Sequence, residues 1–194
     1  MKTIGITGGV GSGKSQILQI LREEYQAQVI LADEVAHLLM EPGQAGYQSV
    51  IQALGTSFLE PDGQIDRKKL AEVIFHDPSA LETMNKIIHP MVWLYIQNEI
   101  HASTADLVVI EAALMYKEQS SMYDEIWYVY TSEENRIKRL AESRGYSREK
   151  SLSIMENQTS ERFFRSLADV VIDNNGSLDD TRKQIEKHLK CKNI

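Results

Sequence analysis

Short, continuously apolar runs alternate with longer segments of helical periodicity along this chain. Runs of this kind, in which every position is apolar, are typical of strands buried on both faces of a parallel sheet. We predict five such strands, over residues 2–7, 27–32, 105–113, 125–131 and 168–174. Because helical segments separate them, the pattern predicts an α/β fold with a parallel five-stranded sheet flanked by helices.

The interval between the second and third predicted strands is almost wholly helical. One helical pattern starts at Asp33, a second begins at Asp66, whose side chain is favoured at an N-cap position, and a third follows from Asp77. Pro90 is predicted to open a further helix. These helices exceed what one crossover connection needs, so we predict an inserted helical subdomain over about residues 45–103.

A second helical region follows the fourth predicted strand. Thr131 and Glu134 have the spacing of a capping box that would start a basic helix. The sequence SRGYS interrupts this helix, and another is predicted to begin near Ser147. We interpret this pair, over about residues 131–164, as a lid rather than part of the sheet. The core of a single domain is then predicted to comprise residues 1–44, 104–130 and 165–194.

Composition excludes several classes of protein. The 194 residues are 42% hydrophobic and 25% charged, as in ordinary globular domains. A net charge of −7 argues against a dedicated nucleic-acid-binding protein. The single cysteine, Cys191, excludes an internal disulfide and a multi-cysteine zinc site and favours a cytoplasmic location. No apolar run approaches the length of a membrane span, so no membrane partner is expected.

The glycine-rich segment GITGGVGSGKSQ lies where the first strand passes into the first helix. It fits the P-loop pattern G-x-x-x-x-G-K-[ST]. Glycines let the backbone wrap a phosphate with its N–H groups pointing inward, and the following helix adds its positive dipole end. In such a loop Lys14 binds the β- and γ-phosphates and Ser15 binds Mg²⁺. We predict that the nucleotide is bound by Gly8, Gly9, Val10, Gly11, Ser12, Gly13, Lys14, Ser15 and Gln16.

The P-loop alone does not say what becomes of the γ-phosphate. A GTPase needs an N-K-x-D motif for guanine, and the pair Asn85-Lys86 lies instead in a helical pattern. An inserted helical subdomain and a basic lid suit a kinase of a small metabolite, because the lid excludes water that competes for the phosphate. Two alternatives stay open: a P-loop kinase of another small acceptor, such as a nucleoside monophosphate, and a nucleotide-binding switch protein.

Several ordered blocks resemble the dephospho-CoA kinase family over nearly the whole chain. They are GITGGVGSGKS, VILADEVAHLLMEPG, DGQIDRKKLAEVIF, IIHPMV, ENQ at 156–158 and ADVVIDNNGS. The resemblance implies transfer of the γ-phosphate of ATP, with Mg²⁺, to the ribose 3′-hydroxyl of dephospho-CoA. The chain departs from the family pattern at Leu31, where the family has Asp, at Gln16, where Thr is common, and in the segment EAALMYKE.

Candidate roles follow for the residues that carry chemistry. Asp33 follows the second strand, at the edge where α/β sheets bind ligands, and we predict that it is the general base. The alternative is an N-cap of the next helix. Glu111 is predicted to orient a Mg²⁺-bound water or else to pair with a nearby base. The resemblance implies an acceptor contact for Arg67, whose guanidinium suits a pyrophosphate, and the alternative is a solvated charged face. For His89, between two predicted helices, we favour a helix-junction role, with acceptor contact as the alternative.

The predicted lid carries Arg139 and Arg144, which we expect to contact the transferred phosphate. A closing lid brings positive charge to the γ-phosphoryl group. The alternative is a solvated basic helix with glutamate partners. The segment DNNGS is expected to line the adenine pocket, as in related kinases, through Asn174 or Asn175. Lys14, Asp33 and Arg139 are the predicted catalytic residues.

Overall fold

The computed structural model describes residues 1–115 and 121–190, and the chain divides into two compact units. The first unit combines Met1–Val29 with Ser103–Ile194, and the second comprises Ile30–Ala102. The second unit begins before the helical subdomain predicted from residue 45, so it includes Asp33. Within the described residues, no helix combines the length and the apolar character needed to cross a membrane.

The strands form one parallel sheet. Their bounds are β1 Lys2–Thr7, β2 Gln28–Leu31, β3 Leu107–Glu111, β4 Glu125–Tyr130 and β5 Val170–Asp173. The sheet has the order β2-β3-β1-β4-β5. In it, β1 pairs in parallel with β3 and with β4, and β4 pairs in parallel with β5. The predicted five-stranded parallel sheet is confirmed, and every observed strand lies within its predicted bounds.

The centre of the sheet positions the P-loop. All six residues of β1 are buried. Near its end, Ile6 lies opposite Glu111 of β3 and Trp127 of β4, and Trp127 is fully buried. Because the three strands are parallel, their carboxyl ends meet at one edge of the sheet. Ligands of α/β proteins bind at this edge.

Helices connect the strands and make up the second unit. Their bounds are α1 Lys14–Glu24, α2 Ala32–Leu39, α3 Ala45–Leu54, α4 Arg67–His76, α5 Pro78–Ala102, α6 Glu133–Arg144, α7 Arg148–Glu156, α8 Glu161–Leu167 and α9 Leu178–Lys190. Of these, α2 to α5 lie in the second unit, where α5 packs against the other three.

The N-cap predicted at Asp66 and the helix start predicted near Ser147 are both confirmed. Asp66 is the N-cap of α4 and accepts the backbone N–H groups of Lys68 and Lys69. Ser147 is the N-cap of α7 and accepts the N–H of Lys150. In both cases a polar side chain satisfies first-turn N–H groups that have no partner within the helix.

The capping box predicted from Thr131 and Glu134 is wrong. The N-cap residue of α6 is Ser132, whose side chain makes no capping bond. Thr131 Oγ1 instead donates to the carbonyl oxygen of Ser12 at 2.9 Å. Glu134 forms an ion pair with Arg148 at 2.6 Å. Partners distant in sequence therefore replace the local motif.

The helix boundary predicted at Pro90 is also wrong, because α5 runs without interruption through this residue. Proline removes one helical hydrogen bond and usually bends or ends a helix. Here the buried residues Ile88, Val92, Ile96 and Ile100 recur every fourth position on both sides of it. One continuous apolar face thus packs against α2, α3 and α4, and this packing outweighs the local preference.

Candidate active site

The P-loop joins β1 to α1 and takes its shape from glycines. Gly11 has φ 75° and Gly13, the N-cap residue of α1, has φ 88°. Residues with a Cβ rarely adopt these angles. The first N–H groups of α1 have no partner within the helix, and together with the helix dipole they favour an anion at this end.

The side chain of Lys14 reaches back across the P-loop. Its Nζ donates to the carbonyl oxygen of Gly8 at 2.7 Å and lies 3.4 Å from Glu111 Oε1. Both charged side chains are less than a fifth exposed. Glu111 ends β3, next to β1, so the sheet register explains why the two charges meet. The structure therefore shows the pairing of Glu111 with a base, which was the alternative to its metal role.

The carbonyl oxygen of Ser12 is the main anchor of the loop. It accepts hydrogen bonds from Thr131 Oγ1 at 2.9 Å, from Arg139 NH1 at 3.1 Å and from Asn174 Nδ2 at 2.9 Å. Arg139 NH2 also donates to the carbonyl oxygen of Asn174 at 2.7 Å. Arg139, predicted to contact phosphate, thus lies against the backbone of the P-loop.

Two further residues contact the P-loop and were missed from the sequence. Arg136 Nε donates to the Val10 carbonyl at 2.8 Å, and the Val10 N–H donates to Gln158 Oε1 at 3.0 Å. Arg136 precedes Arg139 by three residues, and this spacing places both on one face of α6. That shared face and the position of Gln158 in the ENQ block were the available signals.

The other residues predicted at this end have separate surroundings. Arg144 is exposed, and its guanidinium lies 6.0 Å from the ring centroid of Tyr146. Asn174 is buried, and its Oδ1 accepts from Thr181 Oγ1 at 2.9 Å. Asn175 Oδ1 accepts from the backbone N–H of Ser132 at 2.9 Å. Both asparagines thus join β5 to its neighbouring segments.

Asp33 lies in the second unit. It is not the N-cap of α2, because that position belongs to Leu31 and Asp33 is the second residue of the helix. Its side chain is exposed. His37 lies four residues further on, on the same face of α2, and borders a cavity of about 240 Å³. The carboxylate of Asp33 is therefore one helical turn from the cavity.

The cavity combines apolar walls with a basic group. Met40, Leu70, Ile74 and Met84 contribute the apolar side chains, and Arg67, the first residue of α4, contributes a guanidinium. Glu41 also lines the cavity, so a ligand with apolar and anionic parts would place its anionic group at Arg67, away from that carboxylate.

His89 does not line this cavity. It is exposed and lies within α5, so the predicted helix-junction role is wrong.

Comparisons with known proteins agree with this architecture. The sequence model of the dephospho-CoA kinase family matches residues 2–180. The dephospho-CoA kinase of Carboxydothermus hydrogenoformans is 41% identical over 186 residues, which are 94% of this chain and 90% of the relative. The chain belongs to the dephospho-CoA kinase family. The Arabidopsis thaliana dephospho-CoA kinase is 36% identical over 193 residues, 97% of this chain and 83% of the relative.

A solved structure extends the agreement to three dimensions. The crystal structure of TT1252 from Thermus thermophilus has a TM-score of 0.82 and 28% identity, and it covers 100% of this chain and 98% of that one. The resemblance to the dephospho-CoA kinase family and the assignment to P-loop kinases are thus confirmed. ATP is the phosphate donor that this kinase class uses.

The departures from the family pattern fall at identifiable places. Leu31, where the resemblance gives Asp, is the residue that precedes α2, and Asp33 is retained. Gln16 lies in the first turn of α1, and its N–H donates to the Gly13 carbonyl at 3.1 Å. The segment EAALMYKE is described only as far as Met115, and its last residues, like Cys191, lie outside the described ranges.

Proposed function

We propose that this enzyme transfers the γ-phosphate of ATP to the ribose 3′-hydroxyl of dephospho-CoA, giving coenzyme A and ADP. The observation that carries the proposal is a P-loop with Lys14 across it, in a chain that the family model matches over residues 2–180. The geometry of the P-loop supports a nucleoside triphosphate as ligand. Among the metabolites that P-loop kinases phosphorylate, membership of the family indicates dephospho-CoA as the acceptor.

The phosphates of ATP are bound by the P-loop amides and by Lys14. Lys14 Nζ already spans the loop to the Gly8 carbonyl. Exchanging that carbonyl for a phosphate oxygen needs only a small movement of a flexible side chain. Its positive charge then stabilises the charge that spreads over the γ-phosphoryl oxygens during transfer. Arg139 and Arg144 add positive charge from the lid, and Asn175 contacts the adenine.

The residues present also fit a magnesium ion. The Ser15 hydroxyl would hold the ion as a hard oxygen ligand of the kind that Mg²⁺ prefers, and the Glu111 carboxylate, which pairs with Lys14 here, would orient a water bound to it. Among the described residues, no group of three acidic, histidine or cysteine side chains could hold a metal ion. When bound, Mg²⁺ neutralises phosphate charge during transfer.

The acceptor is bound in the second unit. Asp33 takes the proton of the 3′-hydroxyl as that oxygen forms a bond to the γ-phosphorus. The bond from the γ-phosphorus to the oxygen that bridges to the β-phosphate breaks, and ADP leaves. The cavity one turn from Asp33 holds the remainder of the acceptor, with its pyrophosphate at Arg67. His89 is proposed as a further acceptor contact. The mechanism consists of positioning and electrostatics, with no covalent enzyme intermediate.

The test measures phosphate transfer from ATP in the presence of Mg²⁺ to three acceptors: dephospho-CoA, a nucleoside monophosphate, and none. We expect a product heavier by one phosphate with dephospho-CoA, and phosphorus NMR that places the new group on the 3′-oxygen. Efficient transfer to the monophosphate alone would instead support the kinase of another acceptor. Slow hydrolysis that no acceptor stimulates would support the switch protein.

A further inference from the structure

Side chains from the lid region hold the peptide groups on both sides of Val10. The Val10 N–H donates to Gln158 Oε1 at 3.0 Å, and the Val10 carbonyl accepts from Arg136 Nε at 2.8 Å. Arg136 NH2 donates to the same Gln158 oxygen at 3.0 Å. The three hydrogen bonds close a ring, so the orientation of the backbone at Val10 is tied to both side chains at once.

The guanidinium of Arg136 also covers the neighbouring Gly9. A Cβ at Gly9 would lie 2.5 Å from Arg136 NH2 and 2.8 Å from its Cζ, so glycine is what permits this close approach. Burial lowers the pKa of the Arg136 guanidinium. A partly desolvated cation with two protein acceptors is an ordered part of the loop's surroundings, unlike a solvated surface arginine.

The two side chains come from the two ends of the predicted lid. Arg136 is the fourth residue of α6, and Gln158 follows α7, whose C-cap is Asn157. The hydrogen bonds at Val10 therefore fasten the lid region to the P-loop both before and after the residues that connect α6 with α7.

We infer that Arg136 and Gln158 are positioning residues, which hold the first half of the P-loop in the conformation that accepts phosphate. A P-loop binds an anion only while its N–H groups converge on the ligand. Without the ring, the backbone around Val10 is free to rotate and to turn a carbonyl oxygen towards the anion. Arg136 and Gln158 thus act on the nucleotide through the backbone. The inference concerns nucleotide binding and does not depend on which acceptor the enzyme uses.

The test measures the affinity of the full-length protein for ATP by calorimetry, with no acceptor present. Arg136→Ala and Gln158→Met are each expected to weaken binding about tenfold, as expected for the loss of one to two hydrogen bonds. Because both substitutions open the same ring, the double variant is expected to bind within about threefold of the weaker single variant. Lys138→Ala, which removes an exposed cation of the same helix, is the control and should keep the parent affinity.

Steady-state kinetics separate positioning from a general loss of structure. Positioning predicts a raised KM for ATP with an unchanged KM for the acceptor, whereas partial unfolding would affect both. Should Arg136→Ala fail to fold, Gln158→Met carries the same prediction without removing a charge. Parent-like ATP affinity in the single variants, or a hundredfold loss in the double variant, would overturn the inference. Absence of acceptor phosphorylation in the parent would contradict the proposed function and leave the calorimetric test intact.

Discussion

The two units differ in how firmly their candidate chemical groups are held. In the first unit, Lys14 is hydrogen-bonded and paired with Glu111, and Arg139 is fixed between Ser12 and Asn174, although Arg144 is exposed. In the second unit, Asp33 and the other candidates, Arg67 and His89, are exposed.

This difference matches the two ligands that we propose. The phosphates of ATP carry concentrated charge, so a binding site gains from donors that are already oriented and need no reorganisation. A hydroxyl to be deprotonated is neutral, and one exposed carboxylate near an apolar cavity suffices to receive it. Substitutions in the first unit should therefore change both the affinity for ATP and the rate of transfer. Substitutions in the second unit should change acceptor binding or the rate and leave the affinity for ATP unchanged.

The largest expected effect comes from Asp33→Asn. Removing a general base costs about 10²–10⁴-fold in rate, so we expect kcat to fall by about 10³-fold while ATP affinity is unchanged. Because Leu31 is the residue that precedes α2, Asp33 is not needed as its N-cap, and the melting temperature should hardly change. The measurements are steady-state kinetics, calorimetry with ATP and thermal unfolding.

The matched control is Glu34→Gln, which removes the neighbouring exposed carboxylate of the same helical turn. It should keep the parent kcat. Near-normal turnover of Asp33→Asn would mean that Asp33 is not the general base. The contrast between the two units would then rest on ligand binding alone.

Lys14→Ala should have the next largest effect, and it should differ in kind. The loss of one positioned charge that stabilises the transition state costs about 10²–10³-fold in kcat. We also expect weaker ATP binding, because Lys14 binds phosphates in the ground state too. Calorimetry and kinetics together measure both. Lys138→Ala serves as a control for the loss of a cation. If Lys14→Ala lowered kcat but left the affinity for ATP unchanged, Lys14 would stabilise only the transition state and not bound ATP.

The parts of this molecule that the sequence predicted are those encoded by neighbouring residues. The P-loop is a contiguous segment whose glycines are required by the local backbone conformation, and each strand is one apolar run. Asp66 caps α4 through N–H groups two and three residues away, and the helix predicted to begin near Ser147 starts with a cap that is just as local. Such features depend little on the rest of the chain, so a single sequence suffices to predict them.

The wrong predictions concern residues whose structure depends on partners that are distant in the sequence. Pro90 is accommodated because residues on both sides of it pack on three other helices. Thr131 does not form the predicted capping box and instead donates a hydrogen bond to the carbonyl oxygen of Ser12, 119 positions away. The contact between Gln158 and Val10 spans 148 positions. The ENQ block marks Gln158 as part of the family pattern, but only the fold shows that Val10 is its partner.

Arg67→Ala tests the acceptor side with a smaller effect. Because Arg67 is proposed to bind the pyrophosphate in the ground state and the transition state alike, the KM for dephospho-CoA should rise about tenfold at nearly constant kcat. The KM for ATP should not change. Lys68→Ala, next to it in α4 and also exposed, is the control. A fall in kcat with unchanged KM would mean that Arg67 contacts the reacting group rather than the remainder of the acceptor.

The smallest expected effect concerns the carboxylate that starts the same helix. The backbone N–H and then the ammonium group of Lys69 lower the pKa of Asp66 from its ordinary value of 3.8 to about 2. Folding thus favours the charged carboxylate. Its contribution to stability is complete above the ordinary pKa, declines as the pH falls below 4, and is lost below about 2. Because the ion pair lies at the surface, with Lys69 about half exposed, the effect is small.

Asp66→Asn should keep the cap, since asparagine also accepts N–H bonds at this position, but it removes the titration. Urea unfolding followed by circular dichroism from pH 6 to pH 2 should therefore show a shallower loss of stability below pH 4 than in the parent. At neutral pH the KM for the acceptor should be unchanged, because α4 still presents Arg67. If that KM rose as in Arg67→Ala, the acceptor side would depend on the charge of Asp66, and the second unit would be as tightly organised around its ligand as the first.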